Sequence, residues 1–169
     1  EAVRMGPASP DGRCEDVSVV FDLMIHDLDL AAELFGGDVK GTDGEGYSAH
    51  TRLLDHASAE LHFGLNGVAR LTASRCAEKR ERWMKIEYAS GIVEIDFITR
   101  KVVNTTKFDI RADVSEILPD PLKAADEAFL AAIQGRAAPV ITGGVGARAA
   151  AMAEMVETCA LAATAVVAA

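Results

Sequence analysis

The chain has 169 residues, half of them apolar and a quarter charged, with a net charge of −9. That is one domain of ordinary size, long enough to bury a core without disulfides or a structural metal. The acidic balance argues against a partner chosen by charge, such as nucleic acid or an anionic membrane, and says nothing about a neutral small molecule.

Residues 1–7 alternate loosely and read as an extended segment. The chain begins at Glu1, inside that segment and without an initiator methionine or a signal peptide, so a piece of something longer is expected. PASPDGRC, residues 7–14, is a loop by its Pro, Gly, Ser and Asp content. From Val17 to Phe35 the apolar residues Val17, Phe21, Met24, Leu28, Ala31 and Phe35 recur at helical spacing, and Gly36-Gly37 ends the helix. The period then changes to two. Residues 39–48 are a candidate strand. Ala59, Leu61 and Phe63 alternate with polar neighbours, Leu65-Asn66-Gly67 turns the chain, and Ala69, Leu71 and Ala73 continue the alternation. Met84, Ile86 and Tyr88, then Val93, Ile95 and Phe97 after Ser90-Gly91, form another hairpin, and a last strand is expected over Lys101 to Phe108. Asp120-Pro121 caps a helix that stops near Gly135, and Thr142-Gly143-Gly144 precedes an alanine-rich helix to the C-terminus. The expected fold is α+β: one mostly antiparallel sheet, a meander of hairpins, with helices packed on its apolar face, the whole of 1–169 forming a single domain.

Cys14, Cys76 and Cys159 are far apart and show no CxxC spacing, so neither a disulfide framework nor a zinc site is expected, and a cytoplasmic location is the plain reading. The apolar run at the C-terminus is interrupted by Arg148, Glu154 and Glu157 before it reaches the about 20 residues of a membrane span.

The first helix carries a polar stripe opposite its apolar one. At 3.6 residues per turn Asp22, His26, Asp29 and Glu33 fall within an arc of roughly 60°. A carboxylate one turn from an imidazole can orient the ring and favour its protonated form, which is the equipment of a general acid/base acting on a hydroxyl proton. The same stripe also fits a plain solvated helix face, and less well a metal site, since no HxxxH or HExxH spacing occurs.

The segment from Asp16 to Leu30, DVSVVFDLMIHDLDL, resembles the D-V-x-V-x-x-D-L-x-x-H-D-x-D-x segment of the glucose–fructose oxidoreductase / inositol dehydrogenase / MocA family, with Asp22 and His26 as its D-x-x-x-H core. Arg4-x-Gly6-Pro7 and Arg13 resemble one branch, in which nucleotide-sugar dehydrogenases are found. Order and spacing extend the likeness over nearly the whole chain. The resemblance implies the C-terminal, substrate-side domain of an NAD- or NADP-dependent dehydrogenase acting on a secondary alcohol or ketone of a sugar, polyol or nucleotide sugar. It implies His26 as acid/base, Asp22 as its partner or a substrate ligand, and Arg4, Arg13 and Asp29 as weaker substrate contacts. The cofactor would belong mainly to an N-terminal Rossmann domain absent from this chain, and with it a lysine that usually completes the site. Related enzymes often pair open sheet faces, which makes a homodimer or homotetramer through that face a possible assembly. The alternative is a ligand-binding or assembly domain of the same fold without catalysis; a metal-dependent enzyme using Asp22, His26 and Glu33 comes third.

The remaining features have plainer readings. Gly143-Gly144-Val145-Gly146 is not a G-x-G-x-x-G and reads as a turn and helix start, so no cofactor-binding residue is expected in this chain. His50, His56 and His62 read as surface or edge residues, and Lys79-Arg80-Glu81-Arg82 most simply as a solvated loop between strands, with an approach to a substrate phosphate as the alternative in a nucleotide-sugar enzyme. Trp83, the only tryptophan, falls on the polar side of its strand, where it could mark an interface.

Overall fold

The computed structural model describes residues 1–167. Seven strands form one mixed sheet in the order β2-β3-β4-β1-β5-β6-β7. They are β1 (Ala2–Pro7), β2 (Gly41–Tyr47), β3 (His56–His62), β4 (Val68–Ser74), β5 (Cys76–Tyr88), β6 (Gly91–Asp96) and β7 (Lys101–Asn104). Helix α1 (Ile25–Phe35) continues from a π-helical turn, Val20–Met24; α2 (Pro121–Ile133) and α3 (Gly143–Val167) follow the sheet. Every strand pair is antiparallel except β1 with β4. The α+β class expected from the periodicities is therefore the class observed.

The meander is interrupted in one place. β4 and β5 are consecutive, yet β1 lies between them, pairing Val3 with Thr72 on one side and with Trp83 on the other. Arg75 is the single residue between the two strands and is anchored on other segments. Its guanidinium donates to the carbonyls of Cys14 and Val17 and approaches the buried Asp55 carboxylate to 3.4 Å, while its N–H donates to the Asp55 carbonyl. Held at this anchor, the chain passes from β4 to β5 without the two strands pairing, and β1 lies between them.

Three boundaries also differ from expectation. Lys79–Arg82 is not a loop but part of the long strand β5, because pairing with β1 continues through Arg4↔Arg82 and Met5↔Glu81. β7 ends at Asn104 rather than Phe108: the Asn104 side chain accepts from Thr106 N–H and donates to the Phe108 carbonyl, and this local turn replaces the ladder. The first helix starts at Val20 with a π turn rather than at Val17.

The core lies between one sheet face and two helices. Val20, Met24, Leu28 and Ala31 from the first helix meet Ala57, Leu61, Leu71 and Ala73 from the sheet and Met152, Ala153, Val156 and Ala160 from α3. Small residues on the sheet let the helices come close. Gly44 is the clearest case, since a Cβ there would stand 3.1 Å from the Val156 carbonyl oxygen and 3.3 Å from Ala160 N. α2 is properly capped, the Asp120 carboxylate accepting from Leu122 and Lys123 N–H, but buries none of its residues. No described helix is long and apolar enough to cross a membrane.

Candidate active site at the start of the first helix

The π turn lies at the end of the sheet where β1, β4 and β5 meet the 7–14 loop, and α1 leads away from it over the sheet face. A turn closing i to i+5 is wider than an α turn, and such turns recur at functional sites. Here it carries Asp22 and ends just before His26, so both residues project from the same end of the helix. Asp22 lines a cleft of about 500 Å³ whose other walls include Arg4, Arg13, Arg75, Arg80 and Arg82. Asp22 and Glu81 are the acidic residues of that lining, so in a chain of net charge −9 the five arginines make it a local excess of positive charge.

His26 is exposed at the helix surface. Partial covering of the ring pushes its pKa below the usual imidazole value; the Arg4 guanidinium lowers it further and Arg82 adds to this, against the opposing carboxylates of Asp27 and Asp22. The ring is therefore neutral at pH 7 and able to accept a proton. Asp22 forms no side-chain hydrogen bond or ion pair with His26 among the described residues.

The other residues singled out from the sequence are placed as follows. Arg13 lies on the cleft wall, with its guanidinium in no ion pair among the described residues. Arg4 also reaches the cleft, but it is spent on Asp27: Nε donates to Oδ2 at 2.9 Å and Nη2 to Oδ1 at 2.7 Å. Asp29 is half-buried and outside the cleft lining. Glu33 points to α3, 3.8 Å from Arg148, and no group of three His, Cys, Asp or Glu side chains converges among the described residues.

Three features were not drawn from the sequence. Asp27 was legible as a carboxylate within the apolar stripe of Val20, Met24, Leu28 and Ala31, where burial demands a cation. Its partner stands 23 positions away and gives no local signal. The Arg75–Asp55 anchor is equally remote. For Arg80 and Arg82 the charge run itself is legible in the sequence, but their place on the cleft wall depends on the unexpected pairing with β1.

β1 leads into a loop rather than a helix, and the glycines at 143, 144 and 146 open α3 after an irregular segment, with Thr142 Oγ1 accepting from Val145 N–H at 3.4 Å.

Residues 6–94 match the family described as the GFO/IDH/MocA C-terminal domain. The chain is 37% identical over 98 residues, 58% of its length, to 31% of the UDP-N-acetylglucosamine 3-dehydrogenase of Acidithiobacillus ferrooxidans. The solved structure of that enzyme, GnnA, superposes with a TM-score of 0.85 at 32% identity, over 95% of this chain and 52% of the other. The WlbA dehydrogenase from Bordetella pertussis, solved in complex with NADH and UDP-GlcNAcA, shares the fold at a TM-score of 0.71 and 15% identity, over 96% of this chain and 53% of its own. The chain thus spans about half the length of the solved relatives it matches.

Proposed function

This chain belongs to the GFO/IDH/MocA C-terminal domain family, and on that footing we propose that it is the substrate-side half of an NAD(P)-dependent dehydrogenase oxidising a secondary alcohol of a nucleotide sugar, or reducing the ketone. The observation that carries the reading is the placement of Asp22 and His26 one turn apart at the start of the first helix, with Asp22 lining a cleft that also holds five arginines. The likeness to an enzyme acting on UDP-N-acetylglucosamine supports the substrate class.

This chain's share of the chemistry is the substrate and its proton. Oxidation of an alcohol releases the hydroxyl proton, and an uncharged imidazole takes it; reduction of the ketone returns it from the imidazolium. Asp22 accepts a hydrogen bond from a second hydroxyl, or from the imidazolium once formed, and its charge stabilises that cation. The redox cofactor, which when bound would take up the hydride in oxidation or supply it in reduction, is assigned to the further length that the relatives carry.

The test is turnover by the natural full-length protein, read as NAD(P)H absorbance against nucleotide sugars, free sugars and polyols. Oxidation of a nucleotide sugar, with free sugars and polyols slower, is the expected result. No reaction across the panel would refute the reading and favour a binding domain of the same fold.

A further inference from the structure

The cleft beside Asp22 contains more positive charge than the chain neutralises. Of its five arginines, Arg4 is paired with Asp27, and Arg75 with Asp55 and two carbonyls. Arg13, Arg80 and Arg82 take part in none of the ion pairs among the described residues. The Nε of Arg82 is closed to solvent and has no hydrogen-bond partner among the described residues. Arg82 stands directly opposite Arg4 in the β1–β5 ladder, and like charges opposite one another in a sheet repel. Burial, then the neighbouring Arg4 and Arg80, lower the pKa of Arg82. The stem of Arg80 lies over Gly6, within 4 Å of where a Cβ would be, which brings a further guanidinium to the same wall.

A neutral sugar gives such an arrangement nothing to bind that hydroxyls or amides would not bind at lower cost. A phosphate does, because its oxygens match the planar fork of a guanidinium. We propose that Arg80 and Arg82 of β5, with Arg13 from the loop before the first helix, seat the phosphate groups of the substrate, so that the cleft reads the anionic half of a nucleotide sugar and leaves the sugar ring to Asp22 and His26. The assignment rests on the nucleotide-sugar reading above, and adds the specificity-determining residues to it.

The experiment uses the full-length protein and calorimetric titration, which needs no turnover. The probes are UDP, N-acetylglucosamine 1-phosphate and free N-acetylglucosamine, against wild type, Arg80→Gln/Arg82→Gln, Arg82→Lys and the remote control Arg136→Gln. UDP binding should weaken roughly ten- to hundredfold in the double variant, fall less in Arg82→Lys, and stay unchanged in the control. Free N-acetylglucosamine should be insensitive to the double substitution. Should the double variant lose the fold, judged by Tm, Arg80→Gln alone carries the test, since that side chain is exposed. A folded variant binding UDP as wild type does would overturn the seat, and so would a wild type that binds neither phosphate compound. Binding of the sugar phosphate but not UDP would overturn the nucleotide form. If a phosphate-free sugar is oxidised with KM unmoved by the double substitution, the dehydrogenase stands and the seat falls. If UDP binds through these arginines but no nucleotide sugar turns over, the seat stands and the dehydrogenase reading falls.

Discussion

Arg4 on β1 and Asp27 on α1 are joined by two side-by-side hydrogen bonds of 2.9 and 2.7 Å, with side chains only 9% and 4% exposed. This pair ties the helix that carries Asp22 and His26 to the central strand of the sheet. Both charges are out of water, so the pair matters most through what happens when half of it is removed. Arg4→Met leaves an uncompensated buried carboxylate and should cost about 3–5 kcal/mol in urea unfolding. Arg4→Met/Asp27→Leu should recover most of that loss, because an apolar pair of similar volume needs no compensation. Equal stability of the single and double variants would show that the pair is not a closed unit.

Asp55 predicts an acid-dependent stability. Burial pushes its pKa up, but N–H donors from Thr51, His50 and Ala49 and the Thr51 hydroxyl outweigh this and hold it at about 2. A folded pKa below the unfolded one stabilises the protein above the unfolded value of 3.8, and that contribution disappears as pH falls toward 2. At neutral pH it is worth about 2 kcal/mol. Asp55→Asn should lose that amount in unfolding experiments at pH 7 and show a shallower decline between pH 4 and 2. Parallel stability–pH curves for the two proteins would contradict this account.

Close packing of α3 on β2 predicts the effect of Gly44→Ala. The added methyl meets backbone atoms, which cannot swing aside as a side chain would. The substitution should cost about 1–3 kcal/mol and lower Tm by several degrees. An unchanged Tm would mean that α3 shifts freely on the sheet.

The fold class was readable because it rests on local periodicity. Alternation at Ala59, Leu61 and Phe63 and at Ala69, Leu71 and Ala73, and helical spacing at Met24, Leu28 and Ala31, each depend on a few neighbouring residues. The position of β1 was not readable, because its partners on β4 and β5 lie about 70 to 80 residues away and leave no local signal. The site was half legible for the same reason. Asp22 and His26 share a helix, so their spacing shows in the sequence. The arginine wall is assembled from β1, the loop after it and β5, and only the fold brings those segments together.

The environment of His26 predicts a pH profile for the full-length enzyme. Its pKa lies below 6.5, and only the neutral ring accepts a proton, so kcat/KM for alcohol oxidation should fall on the acid side with a midpoint below 6.5. Arg82→Gln removes a cation that depresses this pKa, so the midpoint should move up in pH. A midpoint that does not respond to Arg82 would place the titrating group elsewhere.

The account turns on His26, and the most direct measurement compares full-length wild type with His26→Ala on a nucleotide sugar, reading NAD(P)H formation and the binding of UDP in parallel. Loss of turnover by about 10²–10⁴ with UDP binding retained is the predicted result. Turnover that survives the substitution would remove His26 from the chemistry and contradict the central claim.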